Sequence, residues 1–316
     1  MPKLSRRSFL ERTASLAAGT VALGRARGGE ASDPNLQFPT NARERLAVAS
    51  WPFRASIESP NNRWARNPKL AGMDLKDFAA MVVKEFNLRN IEPLGEHFRS
   101  TEPAYLAEFR EAVEKAGSHV VNIPTGVRGS FYDPDKAKRQ NAVESAKKWV
   151  DVAVAVGSPS LRMHIEGYRR AKPDVDLTSD SLKQVADYGG QKNILVNLEN
   201  DDLVSEDAFF LVQVIEKVNH PYLHALPDFC NSMLSGNPQF CYDALKAMFK
   251  GAYNIAHMKD SEVGDGGKVY TVDVARCFEI AKAAGYKGYF SMEWEGQGEP
   301  YAGTHRLIEE SLKNLA

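Results

Sequence analysis

ILVNLE, residues 194–199, is an almost wholly apolar run that ends in a carboxylate, and three later runs repeat the arrangement. YLHALPD (222–228), YNIAH (253–257) and YFSME (289–293) end in Asp228, His257 and Glu293, as the first ends in Glu199. The intervals between these side chains are 29, 29 and 36 residues, each long enough for a strand, a loop and a covering helix. Runs this apolar fit strands covered on both faces, as in parallel sheets. Four such units in series place four potential metal ligands at the C-terminal ends of strands, where barrel enzymes keep their chemistry.

The segments between the ligands support that spacing. After Glu199, the residues Phe209, Phe210, Val212, Val214, Ile215 and Val218 recur at helical spacing, opposite Glu206, Gln213, Glu216 and Lys217. Ser205 is the expected N-cap of that helix, with Asp207 in its first turn. Upstream, strands are expected over 46–53, 88–94, 119–124 and 160–165, and helices over 74–86, 102–117, 134–157 and 177–188. Helices over 272–284 and 304–315 complete the chain. Eight strand-helix pairs favour a closed (β/α)8 barrel of the TIM type over an open doubly wound sheet.

The 316 residues, 43% of them hydrophobic, exceed the about 250 of one such barrel. The expected organisation is a targeting segment at 1–30, a Gly/Pro/Asn-rich linker at 31–44 and one barrel over 45–316. Ser5-Arg6-Arg7-Ser8-Phe9-Leu10 resembles the twin-arginine export motif, with Glu11 where that motif usually has lysine, and a small-residue apolar stretch follows. The resemblance implies passage through the twin-arginine machinery and a periplasmic or secreted location. Residues 1–30 carry six basic and two acidic side chains, so the remainder has a net charge of −5. No run of 18 apolar residues offers a membrane span, and no cysteine follows the apolar stretch to carry a lipid anchor. Cys230, Cys241 and Cys277 have no metal-site spacing and are assigned no disulfide.

A single carboxylate at a strand end is usually a helix cap or a rim ion pair. Three carboxylates and an imidazole converging on one barrel mouth are different, because buried unpaired carboxylates are costly without a cation. The oxygen-rich set of Glu199, Asp228, His257 and Glu293 suits Mn2+ first, with Mg2+ or Co2+ as substitutes and Zn2+ less natural. Such a cation stabilises an enediolate formed when a C–H beside a sugar carbonyl is deprotonated, with Glu199 and Glu293 taking and returning the proton. Glu92 and His164, at the expected ends of strands two and four, are candidates for the substrate's hydroxyls; Arg162 shares His164's face. Trp51, Asn231 and Lys259 complete the expected substrate contacts.

NLEN around Glu199, LPDFCN around Asp228, IAHMKD around His257 and SMEWEG around Glu293 resemble the xylose isomerase-like barrel superfamily. The resemblance covers about residues 45–316, and GSPSLRMH at 157–164 shares in it. It is closest to the sugar isomerase and epimerase branch that includes the ketose 3-epimerases, and implies a Glu, Asp, His, Glu metal site whose two glutamates double as acid and base. Ketose 3-epimerases commonly carry a histidine three residues after the aspartate and an arginine several residues after the metal histidine. Here those places hold Asn231 and the DSEVGDGG loop, so no particular ketose is named.

The resulting expectation is a metal-dependent isomerase or epimerase of a small unphosphorylated sugar, in an oligomeric state the sequence leaves open. The alternatives are a keto-sugar or keto-glycoside lyase on the same site, and a non-catalytic periplasmic sugar-binding protein on a retained barrel. A nucleic-acid-repair relative is disfavoured, since a DNA-facing surface should be basic and the chain beyond residue 30 is acidic.

Overall fold

The computed structural model describes residues 33–167, 171–296 and 299–316. Among these residues eight α-helices alternate with the strands: α1 Leu75–Phe86, α2 Pro103–Lys115, α3 Lys136–Val156, α4 Val175–Lys192, α5 Ala208–Val218, α6 Pro238–Phe249, α7 Val274–Ala283 and α8 Pro300–Leu315. Side-chain oxygens of Asp74, Asp135, Asp174, Asp207, Asn237, Asp273 and Glu299 cap seven of them, each taking up backbone N–H groups left open by the first turn. The eighth, α2, begins instead with Pro103, whose missing N–H needs no partner. Asn87, Asn193 and Asn219 close α1, α4 and α5 in the left-handed conformation.

The strands are β1 Leu46–Ala49, β2 Asn90–Glu92, β3 His119–Val120, β4 Pro124–Thr125, β5 Ser160–Met163, β6 Leu195–Glu199, β7 Leu223–Leu226, β8 Ile255–Met258, β9 Ser261–Val263, β10 Val269–Thr271 and β11 Tyr289–Met292. Parallel pairing runs from β8 through β11, β1 and β2 to β3, and from β4 through β5 and β6 to β7. The ring closes at two places. Parallel bridges Ala225↔Ala252 and Asp228↔His257 join β7 to β8. On the other side the third barrel strand passes from β2 to β5 as β3 and β4, with Val121 N–H donating to Ile91 and Arg162 N–H to Ile123. The result is the closed α/β barrel read from the spacing; β9 and β10 form an antiparallel hairpin over its C-terminal rim.

Local chemistry shortens several elements relative to the sequence expectation. Pro52 and Pro93 lack an N–H for a ladder, so β1 stops at Ala49 before a 3-10 turn, Trp51–Phe53, and β2 stops at Glu92. Trp51 therefore sits on that turn and not on a strand. The cap of α5 is Asp207, which accepts from Phe209 and Phe210, whereas Ser205 bonds Asp202 instead. Helix α8 begins four residues earlier than expected, at Pro300, because Glu299 supplies a cap.

Most of the core lies between strands and helices, with Val48, Met163, Leu198, Met258 and Phe290 among its strand residues. Inside the barrel a second, small apolar cluster is made by Ala47, Val121, Leu226 and Ile255, with Tyr289 against it. The rest of the interior is polar in large part. Alternation along the strands aims Asn90 and Glu92, Ser160 and Arg162, Asn197 and Glu199, and Ser291 and Glu293 to the same side, and all of them are buried. Cys230, Cys241 and Cys277 are buried free thiols, and no described helix is long and apolar enough to cross a membrane.

At the opposite rim, Phe38 makes edge-on contacts with Tyr253 and Tyr289, at 5.5 and 5.9 Å between ring centres, and the Tyr253 hydroxyl donates to the Pro34 carbonyl. The segment before β1 thus covers the N-terminal ends of β8 and β11. Aromatic pairs of this kind contribute about 0.5–1.5 kcal/mol each. Phe38→Ala is expected to lower the unfolding free energy by about 1–3 kcal/mol in urea titrations, and an unchanged midpoint would show that the segment adds nothing.

Candidate metal centre

Glu199 ends β6, Asp228 lies two residues past β7, His257 is in β8 and Glu293 immediately follows β11. All four are buried, and each offers a ligand atom within 4.8 Å of the others. The structure thus brings together the four side chains that the spacing singled out. His257 Nδ1 is 2.8 Å from Glu199 Oε1 and 3.4 Å from Glu293 Oε2. Asp228 Oδ1 accepts from the backbone of Cys230 and Asn231, at 2.8 and 2.7 Å. Its Oδ2 is buried and accepts no hydrogen bond among the described residues, with the Lys259 ammonium 3.7 Å away.

The electrostatics show the strain of this grouping. Burial, reinforced by Glu199 and Glu293, pushes the Asp228 carboxyl up to about 7. Burial would raise Glu293 too, but His257 and Lys259 hold it well below the usual carboxylate range. Burial would lower His257, yet Glu199, Glu293 and Glu92 raise it well above an ordinary imidazole. An orphaned buried carboxylate oxygen beside two more carboxylates and an imidazole is a donor set that fits a hard divalent cation. Glu199, Asp228, His257 and Glu293 would hold it.

Each of the remaining expected site residues has a definite place. Lys259 is buried, its Nζ 3.1 Å from Glu293 Oε2, 2.9 Å from Glu262 Oε2 and 3.0 Å from Asn231 Oδ1. Asn231 also donates to Glu199 Oε1 and Asp201 Oδ1, at 3.3 and 3.4 Å. Trp51 donates its indole N–H to Glu295, which is paired with Arg54 at 2.6 Å. His164 lies 2.7 Å from Glu206 Oε2 through Nδ1. Trp51, His164, Asn231 and Lys259 line one cavity of about 1200 Å3 together with Glu199 and Glu293.

Glu92 departs from the expectation. It is wholly buried and does not line that cavity. Its Oε1 lies 3.1 Å from His257 Nε2 and accepts from Asn122 Nδ2 at 2.7 Å. With Nε2–H directed at Glu92, loss of the other ring proton leaves the Nδ1 lone pair on the side of Glu199 and Glu293. That is the carboxylate–histidine arrangement that orients ligating imidazoles. Asn122 also takes Ser160 Oγ–H at 2.6 Å, and Ser160 takes Asn254 Nδ2–H at 2.8 Å, so the support extends through the barrel interior.

Arg162, which register alone places beside His164, is central to the cluster. Its Nη2 lies 2.6 Å from Glu199 Oε2 and 2.9 Å from Asp201 Oδ2. An arginine within the buried strand Ser160–Met163 needs anionic partners, which was the available signal. Glu206, another residue missed, is fully buried; it accepts the Ile165 N–H at 2.6 Å and holds His164.

Two outcomes test this geometry. Glu92→Ala is expected to weaken Mn2+ binding about 10–100-fold by calorimetry; unaltered affinity would remove Glu92 from the support of His257. The second concerns Glu206, whose carboxyl burial pushes from 4.5 up to about 7 against the pull of Arg162 and His164. Burial would lower His164, but the bond to Glu206 and the charges of Glu206 and Asp201 raise it. Both groups hold protons more tightly folded than unfolded. Their stabilising contribution is therefore present at low pH and is lost as pH rises through about 7. Melting temperatures between pH 5 and 8 should fall less steeply in Glu206→Gln than in the parent, and equal slopes would contradict the assignment.

The xylose isomerase-like TIM barrel family matches residues 81–316. No curated protein matches the sequence. Among solved structures, an L-ribulose 3-epimerase superposes with a TM-score of 0.65 at 16% identity, covering 85% of this chain and 95% of its own. The 3-keto-D-glucoside 4-epimerase of E. coli gives 0.61 at 16% identity, covering 85% and 98%. A xylose isomerase-like TIM barrel protein from Mycobacterium smegmatis, in complex with magnesium, gives 0.58 at 17%, covering 86% and 97%. At these identities the superpositions speak for the fold, and with the match over residues 81–316 they carry one conclusion: the chain belongs to the xylose isomerase-like TIM barrel family.

Proposed function

We propose that this protein is a divalent-metal-dependent isomerase or epimerase of an unphosphorylated sugar, acting by proton abstraction next to a carbonyl. The observation that carries the reading is the convergence of Glu199 and Glu293, from strands three places apart in the ring, on one buried cluster that opens into a cavity. A bound cation, Mn2+ for preference and Mg2+ or Co2+ in its stead, supplies the positive charge that an enediolate needs. The protein's own groups do the rest. One glutamate takes the proton and the other returns it to the opposite face. Arg162 and Asn231 hold Glu199, and Lys259 holds Glu293, so neither carboxylate has to find its orientation after the sugar arrives. That solved neighbours include sugar epimerases supports the assignment. The DSEVGDGG segment after β8 carries three acidic and no basic side chains, which disfavours a phosphosugar.

One observation favours a second reading, a keto-sugar or keto-glycoside lyase. His164 lines the same cavity with Nδ1 held by Glu206, an arrangement that suits a proton donor to a departing β-substituent. We further propose that residues 1–30, which lie outside the described residues except as sequence, direct twin-arginine export to the periplasm; replacing Arg6 and Arg7 with lysine should retain a fused reporter in the cytoplasm.

Deuterium incorporation separates the readings. Mn2+-loaded protein in D2O should label the carbon beside the carbonyl in at least one of a panel of ketoses, aldoses and keto-glycosides, with all substituents retained. Loss of a β-substituent would favour the lyase; no labelling of any sugar would sink both. Asp228→Ala should abolish Mn2+ binding, whereas Glu293→Gln should keep part of it and lower labelling about 10²–10⁴-fold.

A further inference from the structure

The cavity is larger than the proposed chemistry needs. Ligand sites of about 300–1,000 Å3 enclose drug-sized molecules, and a single sugar ring is smaller than those, yet this cavity measures about 1200 Å3. Its floor is the cluster around Glu199 and Glu293. From there it extends over the outlets of β2 and β4 to the exposed side of α3, where Asn141, Lys148 and Trp149 line it.

That outer part has a built wall. Trp149 packs edge-on against Phe98, 6.3 Å between ring centres, and its indole lies so close to Gly95 that a Cβ there would stand 2.8 Å from Trp149 Cη2 and 2.8 Å from Thr125 Oγ1. Only a glycine leaves room at 95, so the turn is shaped around the indole. Trp51, on the turn after β1, supplies a second indole to the same cavity, with the Arg54 guanidinium 4.1 Å over one of its faces. Faces of this kind, amphipathic and rigid, suit the apolar side of a sugar ring. The charges in the wall offset one another: Arg63, Arg128 and Lys148 stand with Glu96, Glu144 and Glu166. A phosphate or carboxylate group would find no net positive field there, whereas uncharged hydroxyls would find donors and acceptors of both kinds.

We infer that the α3 side of the cavity is a subsite for a second, uncharged sugar ring, so that the substrate is a glycoside whose keto-sugar unit sits at the metal centre. The inference rests on the sugar reading above and narrows its substrate to a two-ring molecule.

Calorimetry of the Mn2+-loaded full chain with D-fructose, palatinose and lactulose tests it, with deuterium labelling measured on the same samples. At least one two-ring ketose should bind tenfold or more tightly than D-fructose. Trp149→Ala should bring that ratio to about one. Asn141→Trp, at an exposed helical position, should do the same by filling the subsite, and its melting curve reports folding if Trp149→Ala is destabilised. A parent ratio near or below one, or a ratio unchanged in a folded Asn141→Trp protein, would overturn the subsite. Two-ring preference without labelling of any sugar would uphold the subsite and sink the isomerase reading; labelling without the preference would do the reverse.

Discussion

Placing four carboxylates, Glu92, Glu199, Asp228 and Glu293, out of water at one end of a barrel is the constraint from which the rest of this structure follows. Each buried anion is costly unless it is paired and hydrogen-bonded. Two fixed cations reach the group, Arg162 at Glu199 and Lys259 at Glu293, and His257 lies between Glu92 and Glu199. Asp228 is left with one oxygen bonded to two backbone N–H groups and the other bonded to nothing among the described residues. Any account of what the protein does has to begin with that oxygen.

The same constraint reaches down into the barrel. Bulky branched residues usually fill the layers of such an interior; among the described residues a small cluster around Ala47, Val121, Leu226 and Ile255 does so. Beside it Asn122 bonds Glu92 and accepts from Ser160 and Asn197, and Ser160 accepts from Asn254. The interruption between β3 and β4 makes this arrangement accessible: Val121 joins the interior apolar cluster while its neighbour Asn122 bonds interior side chains, which strict alternation along one strand would forbid. This polar interior holds Glu92, and through it His257, in one orientation.

Legibility in the sequence followed how local the physics was. The four strands that lead to Glu199, Asp228, His257 and Glu293 were readable because burial on both faces makes a strand apolar throughout, and a charged residue at its end then stands out. Helix caps were readable in part: Asp74 was found, Asp207 was passed over for Ser205 because both residues stand at the start of the same helix, and Glu299 lies five residues before the start expected at 304. Glu92 was located at its strand end but given to the substrate, since nothing in the NIE sequence tells which neighbour a buried carboxylate will meet across the barrel. His257 meets it from a strand 165 residues later. The linker-like composition of residues 31–44 concealed Phe38, whose partners Tyr253 and Tyr289 are equally remote in sequence. Long-range pairings of polar side chains were the part that single-sequence reasoning left open.

Asn231 shows why one substitution against a family pattern need not break a site. Its amide gives hydrogens to Glu199 and Asp201 and takes one from Lys259, linking anions to a cation through a single neutral group. The histidine that ketose 3-epimerases commonly carry at this place could make the same bridge only as the neutral tautomer, with N–H toward the carboxylate and the lone pair toward the ammonium. Protonation would turn both ring nitrogens into donors and set the imidazolium against Lys259. An amide keeps one donor side and one acceptor side at every pH. Lys259 can then remain next to Glu293, where a protonated imidazole would push it away, and the pair of Asn231 and Lys259 is best understood as one unit that exchanges a titrating contact for a fixed one.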